Sequence, residues 1–198
     1  MKILGVWFDC NLNWSCHIGK LVENIKKECF GLRRLRKYFT FDEMSQICTA
    51  FAYSKFYYGC QIWFLPSLHK RLKKKLLATS ALILRSSFFL HDWKISNVDL
   101  HGLVGRATPS QYCKYSHAIA MYNVFKHECP SNVWLNAQFN FSFHERKNQI
   151  LFTSNNSTKV GYNSLSNRFN TVSHCLSFDW LSSSLEVMKV KCKRIFLK

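Results

Sequence analysis

The spacing of apolar residues between positions 17 and 39 constrains the fold of this chain more than any other feature. Large apolar side chains recur there at steps of three and four residues, as they do on one face of an α-helix. The apolar positions are Ile18, Leu21, Val22, Ile25, Cys29, Leu32, Leu35 and Phe39. Lysine and arginine dominate the opposite face of the same stretch. The segment therefore predicts a long helix with one apolar and one basic face.

Helix-start signals farther along the chain predict a mainly α-helical fold. Thr40 and Glu43 form a capping box, a pair whose side chains satisfy free backbone amides at a helix start. The helix that follows is expected to place four apolar side chains inward: Met44, Ile47, Cys48 and Phe51. Only residues 3–8, a short apolar and β-prone run, predict a strand.

Three more helices are expected in the rest of the chain. Pro66 and Ser67 begin one helix, in which leucines alternate with a run of lysines. Thr108 and Pro109 begin another, since threonine suits the N-cap and proline the first helical position, and Gln111 completes a second capping box with Thr108. Ser183 is expected to cap a last helix, which has apolar residues on one face and lysines beside them.

The charge balance points to a polyanionic partner. The chain has 28 lysines and arginines against 11 aspartates and glutamates, a net charge of +17. An excess of this size favours nucleic acid, whose phosphates are contacted by basic side chains one helical turn apart. The candidate nucleic-acid-binding residues are Lys26, Lys27, Arg33, Arg34, Arg36, Lys37, Lys70, Arg71, Lys73, Lys74 and Lys75. The alternative is that these side chains only solvate the exposed faces of helices.

The cysteines and the hydropathy predict an intracellular protein, nuclear or cytoplasmic. Nine cysteines occur without a C-x-x-C pair, and the chain opens without a secretory leader, so reduced thiols are expected. The apolar runs are too short to cross a membrane. A possible set of zinc ligands is Cys113, His117, His127 and Cys129. The pattern is weak, because Cys113 and His117 fall one turn apart on a predicted helix and not in a short loop. A buried cysteine among ordinary histidines is the preferred interpretation, with no metal site.

Residues 2–63 carry an ordered series of motifs. The chain reads KILGV at positions 2–6, Asp9, LNW at 12–14, HI at 17–18, LRRLR at 32–36, YYG at 57–59 and IW at 62–63. This series resembles the region after the catalytic palm in reverse transcriptases of non-LTR (LINE-like) retrotransposons. Such enzymes are RNA-directed DNA polymerases encoded by transposable elements.

Weaker similarity to the same family continues to the end of the chain. GRATP at 105–109, GYNSL at 161–165, NRF at 167–169, FDW at 178–180 and MKVK at 188–191 are similar to elements near the ends of those reading frames. The chain departs from the pattern at Met188, where the family commonly has phenylalanine. The resemblance covers nearly the full length and is strongest up to Trp63.

The resemblance implies a truncated fragment with two regions. Residues 1–90 would form a thumb-like helical bundle, and residues 91–198 a C-terminal helical region with a polar loop near 153–158. The inherited role would be sequence-independent binding of primer–template nucleic acid, either RNA–DNA hybrid or duplex. The absent palm domain would be the natural packing partner of the thumb, and the parent enzyme would use Mg²⁺ through palm residues.

The chain lacks the carboxylate pattern that polymerisation needs. Two catalytic Mg²⁺ ions require clustered aspartates, whereas the five aspartates here are scattered and never adjacent. The adjacent acidic pair Asp42 and Glu43 is explained by a helix start. We therefore expect no enzymatic activity and no cofactor for this chain alone. Two alternatives stay open: a free-standing basic helical module that binds nucleic acid, and a non-functional pseudogene product.

Overall fold

The protein is mainly α-helical and has a small antiparallel sheet at its amino terminus. The computed structural model describes residues 1–65, 67–90, 92–125, 140–144, 149–153 and 184–197. The chain divides into two compact units. The first comprises Met1–Phe64 and Leu68–Tyr112, and the second comprises Leu65–Ser67 and Cys113–Lys198. The first unit therefore extends past the boundary at residue 90 that was expected from the sequence.

The amino-terminal apolar run forms a hairpin and not the single strand predicted over residues 3–8. Strand β1 (Lys2–Ile3) pairs with β2 (Val6–Trp7), with Lys2 opposite Trp7 and Ile3 opposite Val6. Leu4 and Gly5 between the strands both have positive φ, 44° and 83°. Positive φ at both central residues is the conformation of a tight two-residue hairpin turn. The turn folds the run onto itself, so β2 receives a partner from within the chain.

Helix α1 (Ser15–Leu35) confirms the long amphipathic helix. It buries six of the predicted apolar positions: Ile18, Leu21, Val22, Ile25, Cys29 and Leu32. The prediction that Leu35 and Phe39 lie on the buried face is wrong, since these side chains are 38% and 41% exposed. Because α1 ends at Leu35, apolar residues beyond that position no longer continue its buried face.

Both capping boxes form as predicted. The backbone N–H of Thr40 donates to Glu43 Oε2 (2.8 Å), and the N–H of Glu43 donates to Thr40 Oγ1 (3.5 Å). These hydrogen bonds start helix α2 (Phe41–Cys48). The Thr40 N–H and the Thr40 hydroxyl (2.9 Å) both donate to the Glu43 carboxylate, and they lower its pKa. The N–H of Thr108 likewise donates to Gln111 Oε1 (2.8 Å), and the N–H of Gln111 donates to Thr108 Oγ1 (3.3 Å). That pair starts α7 (Pro109–Phe125).

The segment after α2 continues as a series of short helical turns. A π-helix spans Thr49–Tyr53, followed by α3 (Ser54–Tyr57) and α4 (Cys60–Trp63). Met44 and Cys48 are buried as predicted, but Phe51 is exposed, because the wider π turn changes which positions face the core. Trp63, at the end of α4, is almost fully buried.

Helices α5 (Lys70–Ser87) and α6 (Asn97–Leu103) complete the first unit. The predicted start of α5 at residues 66 and 67 is wrong: His69 is the N-cap, and its Nδ1 accepts the Arg71 N–H at 3.2 Å. The contact of α1 with α5 is the most extensive helix–helix contact among the described residues. Arg106, after α6, donates to the backbone oxygen (3.1 Å) and hydroxyl (2.8 Å) of Ser45 on α2.

The second unit contains a hairpin and a helix in addition to most of α7. Strand β3 (Asn140–His144) pairs antiparallel with β4 (Gln149–Thr153), a hairpin that was not predicted within the expected C-terminal helical region. Helix α8 (Leu185–Phe196) is capped by Ser184, one residue after the predicted cap. It buries Met188, Cys192 and Phe196. Burial raises the pKa of the Cys192 thiol to about 11. The polar loop predicted near 153–158 falls outside the described residues after Thr153.

Candidate nucleic-acid interface

The basic residues predicted on the first helix do not share one environment. Five of the six are exposed: Lys26, Lys27, Arg33, Arg34 and Lys37. The exception is Arg36, which is half-buried. It donates a hydrogen bond to the backbone oxygen of Ser86 (3.1 Å), and its guanidinium lies 3.8 Å from the centre of the Phe89 ring. Arg36 therefore holds the end of α1 against the end of α5, whereas the other five can meet a ligand.

The basic residues predicted on the third helix all lie in the first two turns of α5. Lys70, Arg71, Lys74 and Lys75 are exposed, and Lys73 is half-buried. The first turn of α5 contains no acidic residue. Free backbone N–H groups give a helix N-terminus a partial positive charge, so lysines there oppose the helix dipole. A bound anion would relieve this repulsion.

One cleft brings residues from both predicted sets together. It has a volume of about 570 Å³ and lies along α1, α5 and the loop that leads into α6. The residues that line it are Val22, Lys26, Lys75, Ala78, Thr79, Leu82, Arg85, Trp93, Lys94, Ile95, Ser96 and Asn97. Lys26 comes from the first predicted set and Lys75 from the second. The remaining nine predicted residues do not line this cleft.

Ten of the twelve lining residues were not among the predicted site residues, and three of these ten are basic or aromatic: Arg85, Trp93 and Lys94. Arg85 is only 6% exposed, and its guanidinium donates to Asn97 Oδ1 (2.8 Å) and to the backbone oxygen of Ile95 (3.0 Å). The same guanidinium lies 4.9 Å from the centre of the Trp93 ring. An aromatic residue next to a lysine, as at positions 93 and 94, is the sequence signal that points to this loop.

The charged residues that line the cleft are all basic. Two lysines from the helices, Lys94 and Arg85 line it, and no carboxylate does. Three acidic residues lie next to or near the lining residues along the chain: Glu23, Asp92 and Asp99. Asp92 Oδ1 accepts the Lys94 N–H (2.8 Å), and Asp99 Oδ2 accepts the Ser96 hydroxyl (2.6 Å). An anion in the cleft would therefore meet basic side chains without facing a lining carboxylate.

The described residues do not assemble a metal site. Among them, no group of three or more histidine, cysteine, aspartate or glutamate side chains is placed to hold an ion. Cys113 and His117 are buried on α7. His127 and Cys129, the other half of the weak zinc pattern, lie outside the described residues. The described cysteines form no disulfide with one another, and Cys10 and Cys16 are exposed. None of the described helices combines the length and the apolar character that crossing a membrane requires.

No family model, curated protein or solved structure matches this chain. The motifs in the sequence and the geometry of the cleft are therefore the features of this chain that bear on its function.

Proposed function

We propose that this chain binds the sugar–phosphate backbone of nucleic acid without regard to sequence, through the cleft between α1 and α5. One observation carries the proposal. Lys26 and Lys75, on helices far apart in sequence, line the same cleft together with Lys94 and Arg85, and no carboxylate lines it. Basic groups that converge from separate elements concentrate positive potential, which attracts phosphates and raises the rate of encounter.

The chemistry of the cleft fits phosphate contact better than base reading. Lysine ammonium groups are point charges on flexible stems, and they hold phosphates without a fixed geometry. Sequence-specific contacts to base edges in a duplex need planar, bidentate groups such as a free arginine or asparagine. Arg85 and Asn97 are such groups, but they are hydrogen-bonded to each other at 2.8 Å. The available side chains are lysines, so the expected binding is electrostatic and sequence-blind.

The motif series gives the proposal its biological setting. We propose that the chain derives from the thumb and C-terminal region of a non-LTR retrotransposon reverse transcriptase. In such an enzyme the thumb holds the primer–template behind the palm. The mainly α-helical fold and the basic cleft on the LRRLR helix, α1, support this origin. The palm would then be the natural packing partner.

A paired charge-removal experiment tests the function. Binding of the full chain to a fluorescent 20-base-pair duplex is measured by anisotropy for the wild type and for the double variant K26Q/K75Q. The matched control is K27Q/K74Q, which removes the same charge from exposed lysines of the same two helices outside the cleft. We expect K26Q/K75Q to weaken binding about tenfold or more and the control to weaken it much less.

The choice of duplex gives a second readout. Two DNA duplexes of unrelated sequence and one RNA–DNA hybrid should show the same ratio between the double variant and the wild type. An equal loss of affinity in K26Q/K75Q and K27Q/K74Q would show that the cleft is not the binding site. A strong preference for one DNA sequence would contradict backbone binding.

A further inference from the structure

The indole of Trp93 is unusually exposed for a side chain of its size. It lies in the loop between α5 and α6 and is 71% exposed. Tryptophan is on average highly buried in folded proteins. The Arg85 guanidinium lies 4.9 Å from the centre of the ring. The ring therefore contacts the protein on the side that faces Arg85. Most of the remaining indole surface is left to solvent.

The protein holds this indole in a defined orientation. Arg85 is fixed by two hydrogen bonds, one to the Asn97 side chain and one to the backbone of Ile95. A guanidinium at this distance from an indole makes a cation–π contact. The contact anchors one side of the ring to the start of α6. Pre-orientation lowers the entropy cost of binding a ligand on the other side.

We propose that Trp93 stacks on an unpaired base and that the cleft binds a single-stranded stretch of nucleic acid. The phosphates of that stretch would lie against Lys26, Lys75 and Lys94. An aromatic ring beside a basic groove is the arrangement by which proteins hold single strands of any sequence, since every base has a π face. Bases inside a duplex are stacked on one another and cannot cover Trp93. This inference rests on the proposed backbone binding and adds the form of nucleic acid to it.

The size of the cleft agrees with this occupant. Its volume of about 570 Å³ lies within the range of about 300–1,000 Å³ that is usual for small-ligand pockets. A nucleotide unit fits such a space, with its base over Trp93 and its phosphate toward the lysines. In the setting of a primer–template, the unpaired template next to the duplex is the matching segment.

An abasic oligonucleotide separates stacking from charge. The probes are a labelled single-stranded 12-mer of deoxyadenosine and a 12-mer of the same length with abasic sites, which carry the same phosphates. We expect the wild type to prefer the base-containing probe about tenfold, and Trp93→Leu to lose that preference. Trp93→Phe, which keeps an aromatic ring, should retain part of it. The matched control is Tyr38→Leu, because Tyr38 is 80% exposed and does not line the cleft.

The outcomes distinguish this inference from the proposed function. If the wild type binds both probes equally, or if Trp93→Leu keeps the preference, stacking on Trp93 is excluded while backbone binding stands. If the duplex binds more tightly than the base-containing single strand, the cleft is a duplex site and the inference is overturned. If K26Q/K75Q binds every probe as the wild type does, the proposed function fails as well. Circular dichroism of each variant confirms that the fold is intact.

Discussion

Arg36, at the end of α1, donates a 3.1 Å hydrogen bond to the backbone oxygen of Ser86, near the end of α5. Its guanidinium also lies 3.8 Å from the centre of the Phe89 ring. The neighbouring Arg33 and Arg34 are exposed and make no contact of this kind in the described part of the chain. Three arginines of one short motif thus divide into one that stabilises the fold and two that are available to a ligand.

The first prediction concerns this division. Arg36→Gln should lower the free energy of unfolding by about 1–3 kcal/mol, because it removes a charged hydrogen bond and a cation–π contact. Arg33→Gln, the matched control, should change it by less than about 0.5 kcal/mol. Urea denaturation followed by circular dichroism measures both. Equal stability of the two variants would contradict a structural role for Arg36.

The second prediction concerns the capping box of α2. Thr40→Ala removes the oxygen that accepts the Glu43 N–H and should cost about 1 kcal/mol. Thr40→Ser keeps a hydroxyl at the same place and should cost much less. The difference is read from urea unfolding midpoints, and an alanine variant as stable as the serine variant would show that the cap contributes nothing.

The third prediction is a loss of stability in mild acid. Burial lowers the pKa of His17 and His101 below the ordinary value of 6.5. As the pH falls through 6.5, the unfolded chain takes up protons that the folded chain does not, so the free energy of unfolding declines. The decline continues until the pH reaches the lowered pKa of the folded state and then levels off.

The surroundings of His17 explain part of this loss of stability, and a variant at this position tests it. The Nδ1 of His17 accepts the backbone N–H of Trp7 at 3.4 Å, and protonation would remove that acceptor. His17→Gln should therefore make the loss of stability between pH 7.5 and pH 5 smaller than in the wild type. Unfolding by urea at the two pH values is the measurement, and an unchanged or steeper loss in the variant would contradict the assignment.

Local patterns predicted those parts of the fold that depend on neighbours along the chain. The buried face of α1 from Ile18 to Leu32 and the two capping boxes need only helical spacing and residues three apart. The amino-terminal hairpin was missed because the apolar run at residues 3–8 has the pattern of one strand. The turn within it requires a positive φ at Leu4, which leucine rarely adopts. Leu35 was placed in the core because periodicity does not show where α1 ends.

The candidate site was predicted only in part, because local patterns do not show which helices lie side by side. Lys26 and Lys75 were identified from helical charge patterns, but no pattern shows that α1 and α5 place them at one cleft. Arg85 was overlooked because an arginine at an inward position of α5 is an exception to the hydrophobic pattern. Its pairing with Trp93 arises only when the loop before α6 packs back on α5.

The fourth prediction follows from the aspartates. None of the five is adjacent to another in the sequence, so the chain offers no paired carboxylates for the two Mg²⁺ ions of a polymerase. Primer extension on an RNA template with Mg²⁺ or Mn²⁺ should give no product with the 198-residue chain. Incorporation of nucleotides above a control without protein would contradict this expectation.

The salt dependence of binding tests the central claim, electrostatic contact through the cleft, most directly. On duplex DNA, each phosphate neutralised contributes a slope of about −0.9 to the plot of log affinity against log salt. We expect a steep linear fall in the affinity of the wild type and a slope shallower by about 1.8 for K26Q/K75Q, since two phosphate contacts are removed. Affinity that does not change with salt, or an identical slope in the wild type and K26Q/K75Q, would contradict it.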